Sequence, residues 1–256
     1  MVVVLAGFGS LADPAALRQH MAMTEGLLPA AASQFLADQV QATASLSRLH
    51  LGGAVVIALW SARIGASTFI SVFNIAYRER ETRSFVRYQL IVSVVTAGLC
   101  LFGLIAFSMV AIAPVALEKL SLSAGLQTAA RFGRWPALAV LTVAGLAAVY
   151  RFAPARSAPK WRWVAPGAVA ATLLWLAGSA AFSHYVRQFA STEDTFGTLG
   201  IMLLLLSWFY LAAFAILLGA ELNAEIERQT GRDTTEGPEQ PQGQRGAQVA
   251  DTVRAG

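Results

Sequence analysis

Long apolar runs alternate with short polar stretches along this chain. Five runs, at 51–76, 89–115, 133–150, 164–186 and 198–222, predict membrane-spanning helices. The last is the cleanest. From Leu199 to Ala220 it has no charged residue, and its 22 residues as a helix cover about 33 Å, enough for a bilayer's hydrocarbon core. It opens after a capping residue, Thr195, with a Gly-x-x-Gly pair, Gly197 and Gly200. It closes on a polar stretch carrying Glu221, Asn223, Glu225 and Glu227. The run at 133–150 is short, starts at Trp135–Pro136, and is expected to borrow residues from its flanks. The fold class predicted is all-α: a polytopic transmembrane helix bundle.

The two ends of the chain follow other patterns. Residues 1–11, MVVVLAGFGSL, are apolar but about half a span long, and read as the remnant of a truncated first span. Asp13–Pro14 and Pro29 mark two helix starts. In the second helix Phe35, Leu36 and Val40 share a face, with Gln34, Asp38 and Gln41 set more on the other. Residues 12–50 are therefore expected as amphipathic helices outside the bilayer core. After Arg228 the chain turns polar and rich in glycine and proline, and residues 229–256 are expected to be a disordered tail beyond a membrane domain at 1–228.

Composition supports this picture: 56% of residues are hydrophobic and only 13% charged, against about 25% charged in soluble domains. The net charge of +4 matters less than its placement. Four Lys/Arg fall at 77–88 (Arg78, Arg80, Arg83, Arg87) and four at 150–163 (Arg151, Arg156, Lys160, Arg162). The connections at 116–132 and 187–196 carry two and one. By the positive-inside rule the two basic loops and the tail are expected in the cytoplasm. Tyr77, Tyr88, Tyr150, Trp161 and Trp163 stand where interface aromatics belong. A basic charge distributed as topology signals, with no binding module beside it, gives no reason to expect a nucleic-acid partner.

Chemistry-bearing residues are few. His20, His50 and His184 are scattered, Cys100 is the only cysteine, and no metal-ligand spacing, P-loop or nucleophile motif is present. Neither a cofactor nor an enzymatic activity is expected. Polar residues in or beside the spans are the candidates for a substrate or ion path: Arg63, Asn74, Gly197, Gly200, Glu221 and Glu225. Arg63 lies mid-span, where a charge is costly; it reads either as a snorkelling cation or as an anion site. Glu221 reads either as the carboxylate that ends a span or as an acid on a path, and it shares a helix face with Glu225. Trp175, Trp208 and Tyr210 fall inside spans and need partners for their polar atoms if buried.

Three stretches carry a family resemblance: ALWSARIGASTFISVFNIAYRERETRSF at 58–85, YRFAPARSAPKWRWVAPGAVAATLLWL at 150–176 and FGTLGIMLLLLSWFYLAAFAILLGAELNAEIER at 196–228. The chain resembles the YihY/BrkB family of bacterial inner-membrane proteins, once labelled ribonuclease BN. The Y-R-F-A-P run and the G-A-E-L-N-A-E close are its most specific parts. The resemblance implies a six-span helical protein of the bacterial inner membrane, with membrane lipids as neighbours and no agreed catalytic residue set. The functions it leaves open are transport or handling of a lipid or small amphiphile, a non-transporting scaffold and, last, a membrane-associated ribonuclease.

Overall fold

A computed structural model of the protein describes residues 48–112, 124–188 and 193–252. The remnant at 1–11, nearly all of the amphipathic region at 12–50, part of the 187–196 turn and much of the 116–132 connection lie outside these residues. The described chain is helical, with one isolated bridge pairing Pro159 with Thr235. The helices are α1 (Arg48–Ala76), α2 (Phe85–Phe107, continued by a π-helical turn at Ser108–Ile112), α3 (Ala124–Phe152), α4 (Trp161–Gln188), α5 (Glu193–Arg228) and a short α6 (Gln248–Asp251).

Five of these helices are long and apolar enough to cross a membrane: Gly52–Ala76, Phe85–Val110, Thr128–Phe152, Trp161–Val186 and Met202–Arg228. Their outward residues are apolar, with Val56, Ile57, Trp60, Val94, Val140 and Leu206 all more than 60% exposed. Such surfaces suit a lipid solvent.

The main departure in helix length is α3. Pro136 does not open it but lies inside it, a full three turns after its start at Ala124. A proline forfeits one backbone donor, and membrane helices tolerate the loss. The helix takes its extra residues from the N-terminal flank, so the short run at 133–150 is the apolar part of a longer helix.

Two compact units divide the chain. One comprises 1–62, 98–140 and 176–211. Within it, buried Trp208 donates its Nε1–H to Ser179 Oγ at 3.2 Å, and Leu211 packs so closely on Gly178 that a Cβ there would meet it at 2.8 Å. Trp208 thus serves helix packing.

The other unit comprises 63–97, 141–175 and 212–256. Its core joins Ile70, Phe73 and Tyr77 of the α1 side to Val92, Tyr150, Val164, Ala220 and Val249. The tail belongs to this unit and corrects the expectation of disorder. Thr234 has no exposure, and Asp233, Thr235, Ala247 and Ala250 are buried. Composition alone hid this because hydrogen bonds to the basic loops hold much of the tail, and only Ala247, Val249 and Ala250 add a short apolar face. Lys160 N–H bonds Thr234 O at 2.8 Å, Glu236 N–H bonds Ala158 O at 2.9 Å and Ser157 N–H bonds Gly246 O at 2.9 Å.

Candidate functional site

The one basic residue in mid-span, Arg63, reaches α2. Its Nη1 donates to Ser93 Oγ at 2.6 Å and its Nη2 to Gln89 Oε1 at 2.5 Å. Both partners are neutral, and among the described residues no carboxylate pairs with this guanidinium. Gln89 and Ser93 fall in the first turns of α2, so the head group is directed to residues near the 77–84 turn. The charge is thus oriented but not neutralised.

A second polar cluster closes the helix ends. Arg156 and Glu227 form a two-pronged ion pair at 2.9 and 3.0 Å, and neither side chain has any exposed surface. Arg156 also lies 3.9 Å over the Tyr77 ring, and Thr234 donates its hydroxyl to Glu227 at 3.1 Å. Tyr77 Oη itself is buried with no hydrogen-bond partner among the described residues. Its neighbour Asn223 is already committed, accepting from Gly167 N–H at 2.7 Å and donating to Val164 O at 3.1 Å. Burial pushes the Tyr77 hydroxyl up to about 12, against the pull of Arg156.

Each residue of the YRFAPAR run has a partner. Tyr150 donates to Ile216 O at 2.6 Å. Arg151 donates to Pro159 O at 2.5 Å, pairs with Glu236 and lies 4.6 Å over the Trp161 ring. Phe152 meets Trp161 edge to face. The carbonyls of Ala153 and Pro154 accept from Arg83, and Ala155 N–H donates to Asn74 Oδ1 at 2.7 Å. Prolines 154 and 159 interrupt the helix here, as their sequence positions predict, and the freed backbone groups are met by Asn74 of α1, by Arg83 of the turn after it and by Arg151 of the run itself.

Helix α1 ends in a Schellman turn. Glu79 N–H reaches Asn74 O at 2.7 Å and Arg78 N–H reaches Ile75 O at 3.0 Å. The residue in the left-handed position is Arg78, with φ of 58°, where glycine is the usual occupant. Beside it opens a pocket of about 680 Å³, walled by Arg78, Glu79, Arg80 and Thr82 on one side and by Gln248, Asp251 and Thr252 of the tail on the other. Glu79 accepts the Gln248 N–H at 2.6 Å, and its partial burial raises its pKa above 4.5.

The predicted candidates do not converge. Asn74 is buried and structural, bound to Ala155 and, through Nδ2, to Glu81 at 3.0 Å. Glu221 is exposed, whereas Glu225 pairs with Arg228 at 2.9 Å. Gly197 and Gly200 lie within α5. The buried face of α5 carries instead Gly219, Ala220, Asn223, Ala224 and Glu227. Their spacing at i, i+1, i+4, i+5 and i+8, with small residues next to polar ones, was the signal that sequence reading passed over. Among the described residues no group of three or more His, Cys, Asp and Glu side chains is placed to hold a metal.

A family model described as virulence factor BrkB matches residues 1–244. The ribonuclease-like protein YfkH of Bacillus subtilis (strain 168) is 32% identical over 183 residues, 68% of this chain and 65% of that protein. A UPF0761 membrane protein of Psychromonas ingrahamii is 23% identical over 227 residues, 88% of this chain and 74% of the relative. The UPF0761 membrane protein Smlt0865 of Stenotrophomonas maltophilia is 27% identical over 198 residues, 73% of this chain and 43% of the relative. The chain therefore spans less than two thirds of the Bacillus and Stenotrophomonas proteins. No solved structure matches it.

Proposed function

The chain belongs to the virulence factor BrkB family of membrane proteins, and on that premise we propose that it moves or handles a lipid or small amphiphile in the bacterial inner membrane. The observation behind this reading is Arg63. A guanidinium within a span, held by Gln89 and Ser93 but not neutralised, is expensive unless something anionic uses it. An amphiphile with an acidic head and an apolar body fits that position: the head meets Arg63 and the body lies along the exposed Ile64 side chain. Membrane lipids are then both solvent and partner. The basic loops and the tail belong on the cytoplasmic side, by the positive-inside rule.

The test is flux. Protein reconstituted in vesicles should accelerate exchange of a labelled acidic phospholipid between leaflets, and Arg63→Ala should abolish the acceleration. Equal exchange by both proteins sinks the reading.

A non-transporting scaffold is the second reading. It draws support from the helix-end cluster, where Arg156, Glu227, Tyr77 and Thr234 are sealed from water. It expects no protein-dependent lipid exchange at all.

A membrane-associated ribonuclease is the last. Its support is the ribonuclease-like name of the Bacillus relative. It requires purified protein to degrade tRNA, with the activity lost on Glu221→Gln and Glu225→Gln.

A further inference from the structure

The pocket beside Arg78 stands apart from Arg63 and is built differently. Its two acids are already used. Glu79 accepts the Gln248 N–H, and Asp251 Oδ1 accepts the N–H groups of Gly243 at 2.7 Å and Arg245 at 3.1 Å. Its two bases are not. Arg78 and Arg80 are exposed, and among the described residues their guanidinium groups make no hydrogen bond or ion pair. The uncommitted charged donors of the pocket are therefore the two guanidinium groups, with the two carboxylates beside them.

Backbone conformation supplies a second observation. Arg78 occupies the left-handed position of the α1 cap at φ 58°, where a glycine would fit without steric cost. A long cationic side chain kept in that position is explained if the side chain is used. Location supplies a third. Arg78 lies two residues beyond the Ala76 end of the first described span, at the depth where phosphate head groups meet water.

We propose that the pocket formed by Arg78, Arg80 and the Gln248–Thr252 edge of the tail binds a phosphate-bearing anion, with the two guanidinium groups as its donors. The tail forms half of the wall, so an occupied pocket holds the tail against the 77–82 turn. The phosphate can come from an acidic phospholipid of the membrane or from free phosphate in solution. In either case planar, multiply donating guanidinium groups are suited to its oxygens. This inference does not rest on the transport reading, since lipid exchange through Arg63 and binding at Arg78 are measured separately.

The experiment follows amide hydrogen exchange at residues 78–82 and 247–252 of the full chain in nanodiscs. One arm compares phosphatidylcholine alone with phosphatidylcholine plus phosphatidylglycerol. The other adds inorganic phosphate to the phosphatidylcholine discs. Several-fold slower exchange is expected, from the lipid if the head group is the source and from phosphate if the source is soluble. Arg78→Gln with Arg80→Gln should remove the slowing, whereas Arg87→Gln with Arg162→Gln, an equal loss of charge outside the pocket, should keep it. Arg78→Gly relieves the left-handed residue, so it should fold at least as well as the parent and still weaken the response. No slowing in either arm, slowing that survives loss of both pocket arginines, or equal loss in the control pair would overturn the proposal.

Discussion

Arg156 and Glu227 are joined by two hydrogen bonds, at 2.9 and 3.0 Å, in a place with no access to water. The pair links the loop after α3 to the last turn of α5, and Thr234 of the tail completes it. Removing one partner leaves the other charge buried and alone, which costs about 3–5 kcal/mol in comparable pairs. Glu227→Ala and Arg156→Ala should each lower the unfolding temperature in detergent markedly. Replacing both together, Arg156→Met with Glu227→Leu, should restore part of the loss, because an apolar pair has no desolvation cost. If the double variant is as unstable as the sum of the singles, the pair is not the coupled unit described here.

Gly219 and Gly167 set how closely α5 approaches α4. A Cβ on Gly219 would lie 2.5 Å from the Gly167 carbonyl oxygen and 2.6 Å from Tyr150 Oη. Neither neighbour can easily give way: one is backbone, and the other is fixed by its bond to Ile216 O. Overpacking of this kind costs about 1–3 kcal/mol. Gly219→Val should therefore destabilise the protein, while Gly65→Val, where a Cβ meets nothing within 4 Å, should not. Thermal unfolding of the two variants side by side decides the matter.

The spans were legible because each is a long apolar run with at most one charge, and the prolines at 154 and 159 marked the break between α3 and α4. Bilayer thickness imposes that length, and no partner residue is needed to read it. The site was less legible for a physical reason. Glu221 and Glu225 drew notice as acids at a span end, yet the buried face, two residues or over half a turn round the helix from them, carries Asn223 and Glu227. Which face is buried depends on α4 and on the loop after α3, far away in sequence. Gly219 and Ala220, small residues preceding Asn223, were the local trace of that packing. The tail misled composition for the same reason. Its attachment runs in part through basic loops more than seventy positions away, as in the Lys160 Nζ bond to Asp233 O at 3.2 Å, and no window of sequence contains both.

Asp233 gives the tail a defined response to acid. Burial alone would raise its carboxyl pKa, but hydrogen bonds from the Gln240 N–H and from the Thr235 hydroxyl and N–H, with Arg245 nearby, outweigh burial and hold it below 3.8. A lowered carboxyl contributes stability above its ordinary value and loses it as pH falls through the lowered one. Exchange at 230–240 should stay slow in mildly acid solution and quicken only below the usual carboxylate range. Asp233→Asn should quicken exchange at neutral pH and flatten that acid limb. Glu79 works in the opposite sense. Burial raises its pKa above 4.5 against the Gln248 N–H, so its contribution is full below 4.5 and is lost as pH rises through the raised value. Glu79→Gln should therefore steady the 247–252 segment at neutral pH; a variant looser than the parent there would contradict the burial argument.

The side of the membrane on which the tail folds can be read from one introduced thiol. Gln244 is exposed, and Cys100 is the only native cysteine, so Gln244→Cys in a Cys100→Ser background offers a single reactive site. On the proposed topology, which follows the positive-inside rule, that site faces the cytoplasm. A membrane-impermeant maleimide should leave intact cells unlabelled and react once they are permeabilised. The result also bears on chemistry. The Arg78 pocket shares that side, so labelling from outside would move it away from cytoplasmic phosphate and leave only outer-leaflet head groups within its reach.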